Sequence, residues 1–277
     1  MELLAIILSG LITLVSPAGL ILDDTLAKAF REQFEEVEQL AVRVDNAPSY
    51  SILQGKVERV RVASRGVKLG LDFRIDTLEF EIDPIADVRG LSVNETDNQS
   101  GSQPLQGAIR LVITEEDINQ ALESEKVKAI LQELLDGLVS DSGDLPQLGY
   151  ELLNLRLQFL DNNRFQLQVG LARPGSGNSQ SQPLDLVLES EVKVVGGSSF
   201  RLIEPEIWVN GKLITSPFII ETLTNGVSRF LDLRQLEGEG IIVRILQWSL
   251  SEDRVHLAAF VRSNARANVV AGNDYAK

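Results

Sequence analysis

VKLGLDFRI, residues Val67–Ile75, places an aliphatic or aromatic side chain at every second position. Val67, Leu69, Leu71, Phe73 and Ile75 share one parity; Lys68, Gly70, Asp72 and Arg74 take the other. Successive side chains of a strand point to opposite faces, so the run reads as a strand with one apolar and one wet face. The alternation returns at Leu153, Leu155, Leu157, Phe159, then at Phe165, Leu167, Val169, Leu171. It recurs at Leu184, Leu186, Leu188 and at Val255, Leu257, Ala259, Val261. Repeated half-apolar strands predict a large antiparallel sheet with a continuous aliphatic concave face.

Outward from this stretch, the reading predicts strands at Leu40–Val44, Lys56–Ala63 and Leu78–Ile82. The apolar parity switches between Ile75 and Leu78, which asks for a turn or bulge near Asp76-Thr77. Upstream, Leu22, Leu26, Phe30, Phe34 and Val37 recur at steps of three or four and predict an amphipathic helix from Asp24 to Glu38. Downstream, Asn94–Pro104 is a polar loop and Leu105–Ile113 a strand. Thr114 is suited to cap a helix whose first residues, Glu115, Glu116 and Asp117, favour the positive end of its dipole. Its apolar stripe runs from Ile118 to Leu138, with a break near Ser124. Asp161-Asn162-Asn163 turns a hairpin, Arg173–Pro183 links strands, and two strands meet at Gly196-Gly197, the second bulged by Pro205. Ser216 and Pro217 open a third helix to Leu233, with Ile219, Leu223, Val227 and Phe230 on one stripe. A last hairpin pairs Gly240–Ser249 with Arg254–Arg262. Each helix is followed by antiparallel strands.

The composition narrows the function. The formal net charge is −14, against a nucleic-acid partner, which needs clustered Lys and Arg. The chain has no cysteine and one histidine, His256, on the polar parity of its strand. Thiolate zinc sites, disulfides and Cys nucleophiles are excluded, and one histidine builds neither a His-rich metal site nor a Ser-His-Asp triad without carboxylate help. Asp161-Asn162-Asn163 lacks the spaced oxygens of a calcium loop, and Gly175-Ser176-Gly177 precedes no helix and no P-loop lysine. The reading therefore names no catalytic residue, metal or cofactor. Lys56, Arg59, Arg61, Arg65 and Lys68 form the one basic island, five residues in 13 positions. Arg59, Arg61 and Arg65 share the polar face. They are candidates for contact with lipid phosphates, or a solvated face paired with Glu58, Glu79 and Glu81.

Leu3–Leu22 is a run of 20 residues without a formal charge. As a helix it nearly matches a hydrocarbon core of about 30 Å, although Pro17 and Gly19 interrupt it and no basic region precedes it. Residues 1–22 are thus expected to be a membrane anchor or a signal segment, residues 23–262 one α+β domain, and residues 263–277 a loose tail.

The residues VRVDNAP (Val42–Pro48), LQGKVERVRVASRGVKLG (Leu53–Gly70), IDTLEFEIDPI (Ile75–Ile85) and ITEEDINQAL (Ile113–Leu122) together resemble the bacterial DUF2993, or LmeA-like phospholipid-binding, family. The opening SGLITLVSPAGLILDDTLAKAF is also similar to the start of such proteins. The resemblance implies phospholipid binding, association with the cell envelope, and a TULIP-like, strongly curved antiparallel sheet wrapped around amphipathic helices. It supplies no catalytic motif. On this reading Leu69, Leu71, Phe73, Leu155, Leu157 and Phe159 of the sheet and Leu223, Val227 and Phe230 of the helix line an acyl-chain groove. The partner is a phospholipid or other acyl lipid, and the place is the membrane-associated, periplasmic side of the envelope. The rival is a structural or protein-interaction scaffold with a closed core, since a core and a lipid groove need the same aliphatic faces.

Overall fold

A computed structural model describes residues 27–28, 30–31, 34–45, 59–69, 72–83, 105–141, 150–172, 183–251 and 253–263. Its strands are β1 (Glu36–Asp45), β2 (Arg59–Leu69), β3 (Phe73–Ile82), β4 (Leu105–Thr114), β5 (Glu151–Leu160), β6 (Arg164–Ala172), β7 (Leu184–Val195), β8 (Ser199–Val209), β9 (Lys212–Leu213), β10 (Ile241–Leu250) and β11 (Arg254–Ser263). The helices are α1 (Glu115–Glu123), α2 (Glu125–Asp141) and α3 (Pro217–Phe230), followed by a 3₁₀ segment at Leu233–Glu239. The fold is α+β and mostly antiparallel sheet. The strands form two sheets where one was expected: β1-β2-β3-β4-β11-β10 and β5-β6-β7-β8-β9.

VKLGLDFRI is not one strand. β2 ends at Leu69 and β3 begins at Phe73, with Asp72 in the left-handed region at φ 57°. Leu69 and Phe73 are directly paired. A three-residue connection keeps paired residues an even number apart, so the apolar parity runs through the turn unbroken. The helix expected from Asp24 to Glu38 also ends early, because β1 starts at Glu36 and takes Val37 into the sheet. Phe30 and Phe34 are nonetheless buried, their ring centroids 4.5 Å apart, and Phe30 stacks on Phe80 at 6.0 Å. Leu3–Leu22, Asn94–Pro104, residues 173–182 and residues 264–277 lie outside the described residues.

The parity change at Asp76-Thr77 is real and is made without a turn. β1, β2 and β3 all switch their inward parity at one row, Glu38–Gly66–Asp76. Direct pairing skips this row between β1 and β2 and between β2 and β3, and Gly66 has φ 57°. A Cβ on Gly66 would collide with the side chain of Glu38, so this crossing accepts only glycine without rearrangement.

Other local expectations hold. Thr114 Oγ1 accepts from the Asp117 amide at 3.0 Å and caps α1; Ser124 separates α1 from α2. β7 and β8 slip register at Glu204–Pro205, where Glu204 has φ 49° and buried Ser190 donates to the Ile203 carbonyl at 2.9 Å. The main core lies on one face of the six-stranded sheet and extends to Val192 and Phe200 of the second sheet and to Leu233 and Leu236 of the 3₁₀ segment.

Candidate functional site

Two apolar faces built from similar residues are covered very differently. In the six-stranded sheet, Val42, Val62, Phe80, Ile109, Ala259 and Ile245 form one row across all six strands. Every member except half-buried Val42 is fully buried. In the five-stranded sheet, Leu155, Val169, Leu186 and Val209 form one row, and Leu157, Leu167, Leu188 and Ile207 the next. Of these eight, only Ile207 is fully buried; the other seven are half-buried. The helices meet this sheet chiefly at β5, through α1 and α2, and at β8, through α3. Ile118 of α1 packs against the buried cluster of Phe159, Leu250 and Val255, as do Leu157 and Phe165. The face is apolar and half-buried on its outer and middle strands alike, Ile207 excepted.

Helix α1 is fixed to β5 by side chains that act as a neighbouring strand would. Asn119 Nδ2 donates to the Leu157 carbonyl at 2.7 Å, and the Leu157 amide donates to Asn119 Oδ1 at 2.8 Å. The Phe159 amide donates to Glu115 Oε2 at 2.6 Å. From α2, Gln132 Nε2 donates to the Tyr150 carbonyl at 2.7 Å and its Oε1 accepts from the Leu152 amide at 2.8 Å. β5 is an edge strand, and open edges invite pairing with other chains. Nothing in the hydrophobic pattern marks these amides. Asn119 and Gln132, facing a strand with both a donor and an acceptor, were the available signal.

The residues proposed from sequence to line a groove are divided between the two sheets. Leu69 is buried and Phe73 half-buried in the main core. Leu157 and Phe159 belong to a second cluster with Leu250, Val255 and Trp248, and Leu155 is half-buried beside them on β5. Leu71 lies outside the described residues. Leu223, Val227 and Phe230 are on α3, but their side chains lie outside the described residues. In the basic island, Arg59 and Arg61 both pair with Glu81, at 3.0 and 2.8 Å, and Arg61 also pairs with Asp45 at 3.1 Å. The Asp45 carboxyl is held below the usual carboxylate range, first by its hydrogen bond from Arg43 and then by the charges of Arg43, Arg61 and Arg59. Arg65 is exposed and has no ion-pair partner among the described residues. His256 is half-buried on β11, opposite Val112 and Ser249.

Where the sheets meet, two turns of the second sheet satisfy the outer edge of β10. The Ile245 amide donates to the Gly197 carbonyl at 2.6 Å, and the Leu250 amide to Asn163 Oδ1 at 2.7 Å. Between these contacts lies a cleft of about 390 Å³ lined by β7 residues Glu191–Val194 and β10 residues Ile245–Trp248. The Trp248 ring packs edge-on against Phe200 with centroids 4.8 Å apart, and it touches both apolar clusters. Among the described residues, no helix is long and apolar enough to cross a membrane.

Neither a curated protein nor a solved structure matches this chain. A family model does: that of the LmeA-like phospholipid-binding proteins matches residues 14–260, a range that takes in strands of both sheets and helices α1, α2 and α3. The chain therefore belongs to the LmeA-like phospholipid-binding family.

Proposed function

We propose that the protein holds the acyl chains of a phospholipid against the aliphatic face of its five-stranded sheet, over β6 and β7, between the helices at β5 and β8. One observation carries this reading: seven of the eight aliphatic side chains in two adjacent rows stay half-buried here, while the matching row of the six-stranded sheet is closed but for Val42. Closing a half-open aliphatic face releases water at about 25 cal/mol per Å², which an acyl chain can supply. The six-stranded sheet then serves as the rigid support. Membership of a phospholipid-binding family supports the ligand class. The protein works at the cell envelope, carrying or presenting lipid there, with residues 3–22 as its membrane attachment. No step of this function requires catalysis.

Native mass spectrometry of the protein purified in mild detergent should show one phospholipid mass per chain. Protein that retains no lipid, and takes up none from vesicles, would leave a closed scaffold as the better account. Removing Met1–Leu22 should move the folded protein from the membrane fraction to the soluble fraction.

A further inference from the structure

The outer face of the six-stranded sheet, opposite the main core, carries an excess of positive charge. Beyond the switch row at Glu38–Gly66–Asp76, the inward parity belongs to Val62, Phe80 and Ile109, so their neighbours in sequence point outward. One outward row reads Arg43, Arg61, Glu81, Ala108, Phe260 and Arg244, and the next reads Ala41, Ala63, Glu79, Arg110 and Ala258. Arg59 and Arg65 flank these rows on β2, and Arg262 does so on β11. Arg244, at the β10 margin, is matched by Glu237 of the 3₁₀ segment. The remaining arginines, Arg43, Arg59, Arg61, Arg65, Arg110 and Arg262, outnumber the carboxylates Asp45, Glu79, Glu81 and Asp83. This surplus stands on a chain whose formal net charge is −14. The arginines are also accessible. Arg43, Arg59, Arg61 and Arg110 keep between 42% and 73% of their side-chain surface. Arg65 and Arg262 are exposed, with no ion-pair partner among the described residues. Ion pairs this exposed hold their partners weakly, and a guanidinium has more N–H donors than one carboxylate can take. The alanines between them, Ala41, Ala63 and Ala108, are exposed and too short to hold a broad surface away.

We propose that this face docks the protein on an anionic bilayer, with its arginines against lipid phosphates. At physiological ionic strength the Debye length is about 8 Å, so a surface lying against the arginines is largely screened from the acidic remainder of the chain. A bilayer meets the molecule from one side only, whereas a nucleic acid that reaches round the protein also meets its acidic surfaces. The contact is separate from the acyl-chain face and does not require that a lipid be held there.

The test is flotation of the full-length protein with vesicles of phosphatidylcholine alone and of phosphatidylcholine with phosphatidylglycerol, each at low and high salt. An apolar attachment responds little to head-group charge, so the difference between the two vesicles isolates this face. The wild type should partition about tenfold or more strongly onto the phosphatidylglycerol vesicles, and high salt should remove the difference. Arg43→Glu combined with Arg65→Glu should reduce that preference at least about fivefold, since one arginine near an anionic surface contributes about that factor. Lys126→Glu combined with Lys212→Glu changes the net charge equally at exposed positions on α2 and β9, and should leave the preference in place. Thermal melting checks that each variant is folded; should the arginine reversal unfold the protein, Arg43→Gln with Arg65→Gln takes its place. Equal partition onto the two vesicles, or no partition onto either, overturns the proposal. So does an equal loss from the lysine pair and the arginine pair. Equally tight binding of a DNA oligonucleotide that depends on Arg43 and Arg65 would make this a nucleic-acid surface and also overturns it. Lipid retained per chain, read by native mass spectrometry, is a separate measurement, so failure here leaves the acyl-chain reading standing.

Discussion

At the scale of the residue, Gly66 sits where three strands change face at once. Alanine there would collide with the Glu38 side chain and would hold φ 57°, which L side chains disfavour. Gly66→Ala should cost about 2–4 kcal/mol in urea unfolding, a left-handed penalty of about 1–2 plus the strain of moving Glu38 and its partner Arg74. Gly211→Ala, at φ 73° with nothing within 4 Å, isolates the backbone penalty and should cost only about 1–2 kcal/mol. Asp232 gives a residue-scale pH dependence. Its carboxylate accepts from the Arg234 side chain, from the Arg234 amide at 3.1 Å and from Ser199 Oγ at 2.9 Å. The Arg234 hydrogen bond above all holds it well below the usual carboxylate range. A carboxyl depressed on folding stabilises the fold above its unfolded value and loses that contribution as pH falls through its folded value. Asp232→Asn should therefore lower Tm at neutral pH, and the difference from wild type should shrink as the solution is taken below about pH 4. A difference that is constant down to strong acid would mean that the charge of Asp232 is not what matters.

At the scale of the element, α1 is held by side-chain mimicry of a strand edge. Asn119→Ala would leave the Leu157 amide and carbonyl without partners on the edge of the five-stranded sheet. The expected loss is about 1–3 kcal/mol in Tm-derived stability, together with faster aggregation from the exposed edge. Asn119→Gln, one methylene longer, should restore little. The caps, break and turns were legible: Thr114 before three acidic residues, Ser124 between the two halves of a helical stripe, Gly196-Gly197, and Pro205 in a strand. Each is a local rule about one backbone conformation. The turn at Asp72 was not legible, because Leu69 and Phe73 keep parity across it. The overrun of the first helix into β1 has a similar cause. Val37 is spaced three residues from Phe34 as a helix requires, and only pairing with Val67 places it in the sheet.

At the scale of the whole molecule, the two sheets should answer differently to the same insult. Ile75 is completely buried, whereas Leu186 is half-buried in the open row. Ile75→Trp should overpack a closed core and lower stability by about 1–3 kcal/mol or more, without a specific effect on lipid. Leu186→Trp should change Tm little and reduce the phospholipid retained per chain, because the indole takes space that a flexible acyl chain would otherwise fill. Equal destabilisation by both, in a protein that retains no lipid, would mean that the second sheet is closed in solution. The measurement pairs thermal melting with native mass spectrometry on each variant.

The sequence by itself determined the strand faces, the helix caps, most turns and the family, because these are written in local spacing and in contiguous motifs. It also excluded cysteine chemistry outright. Only the tertiary structure decided that the strands divide into two sheets, that β5 is edged by Asn119 and Gln132, and that the buried Trp248 Nε1 has no hydrogen-bond partner among the described residues. It alone separated the closed aliphatic row through Val62 and Phe80 from the half-open row through Leu155 and Leu186. The physical reason is that alternation states which way a side chain points, whereas burial depends on what distant segment comes to cover it.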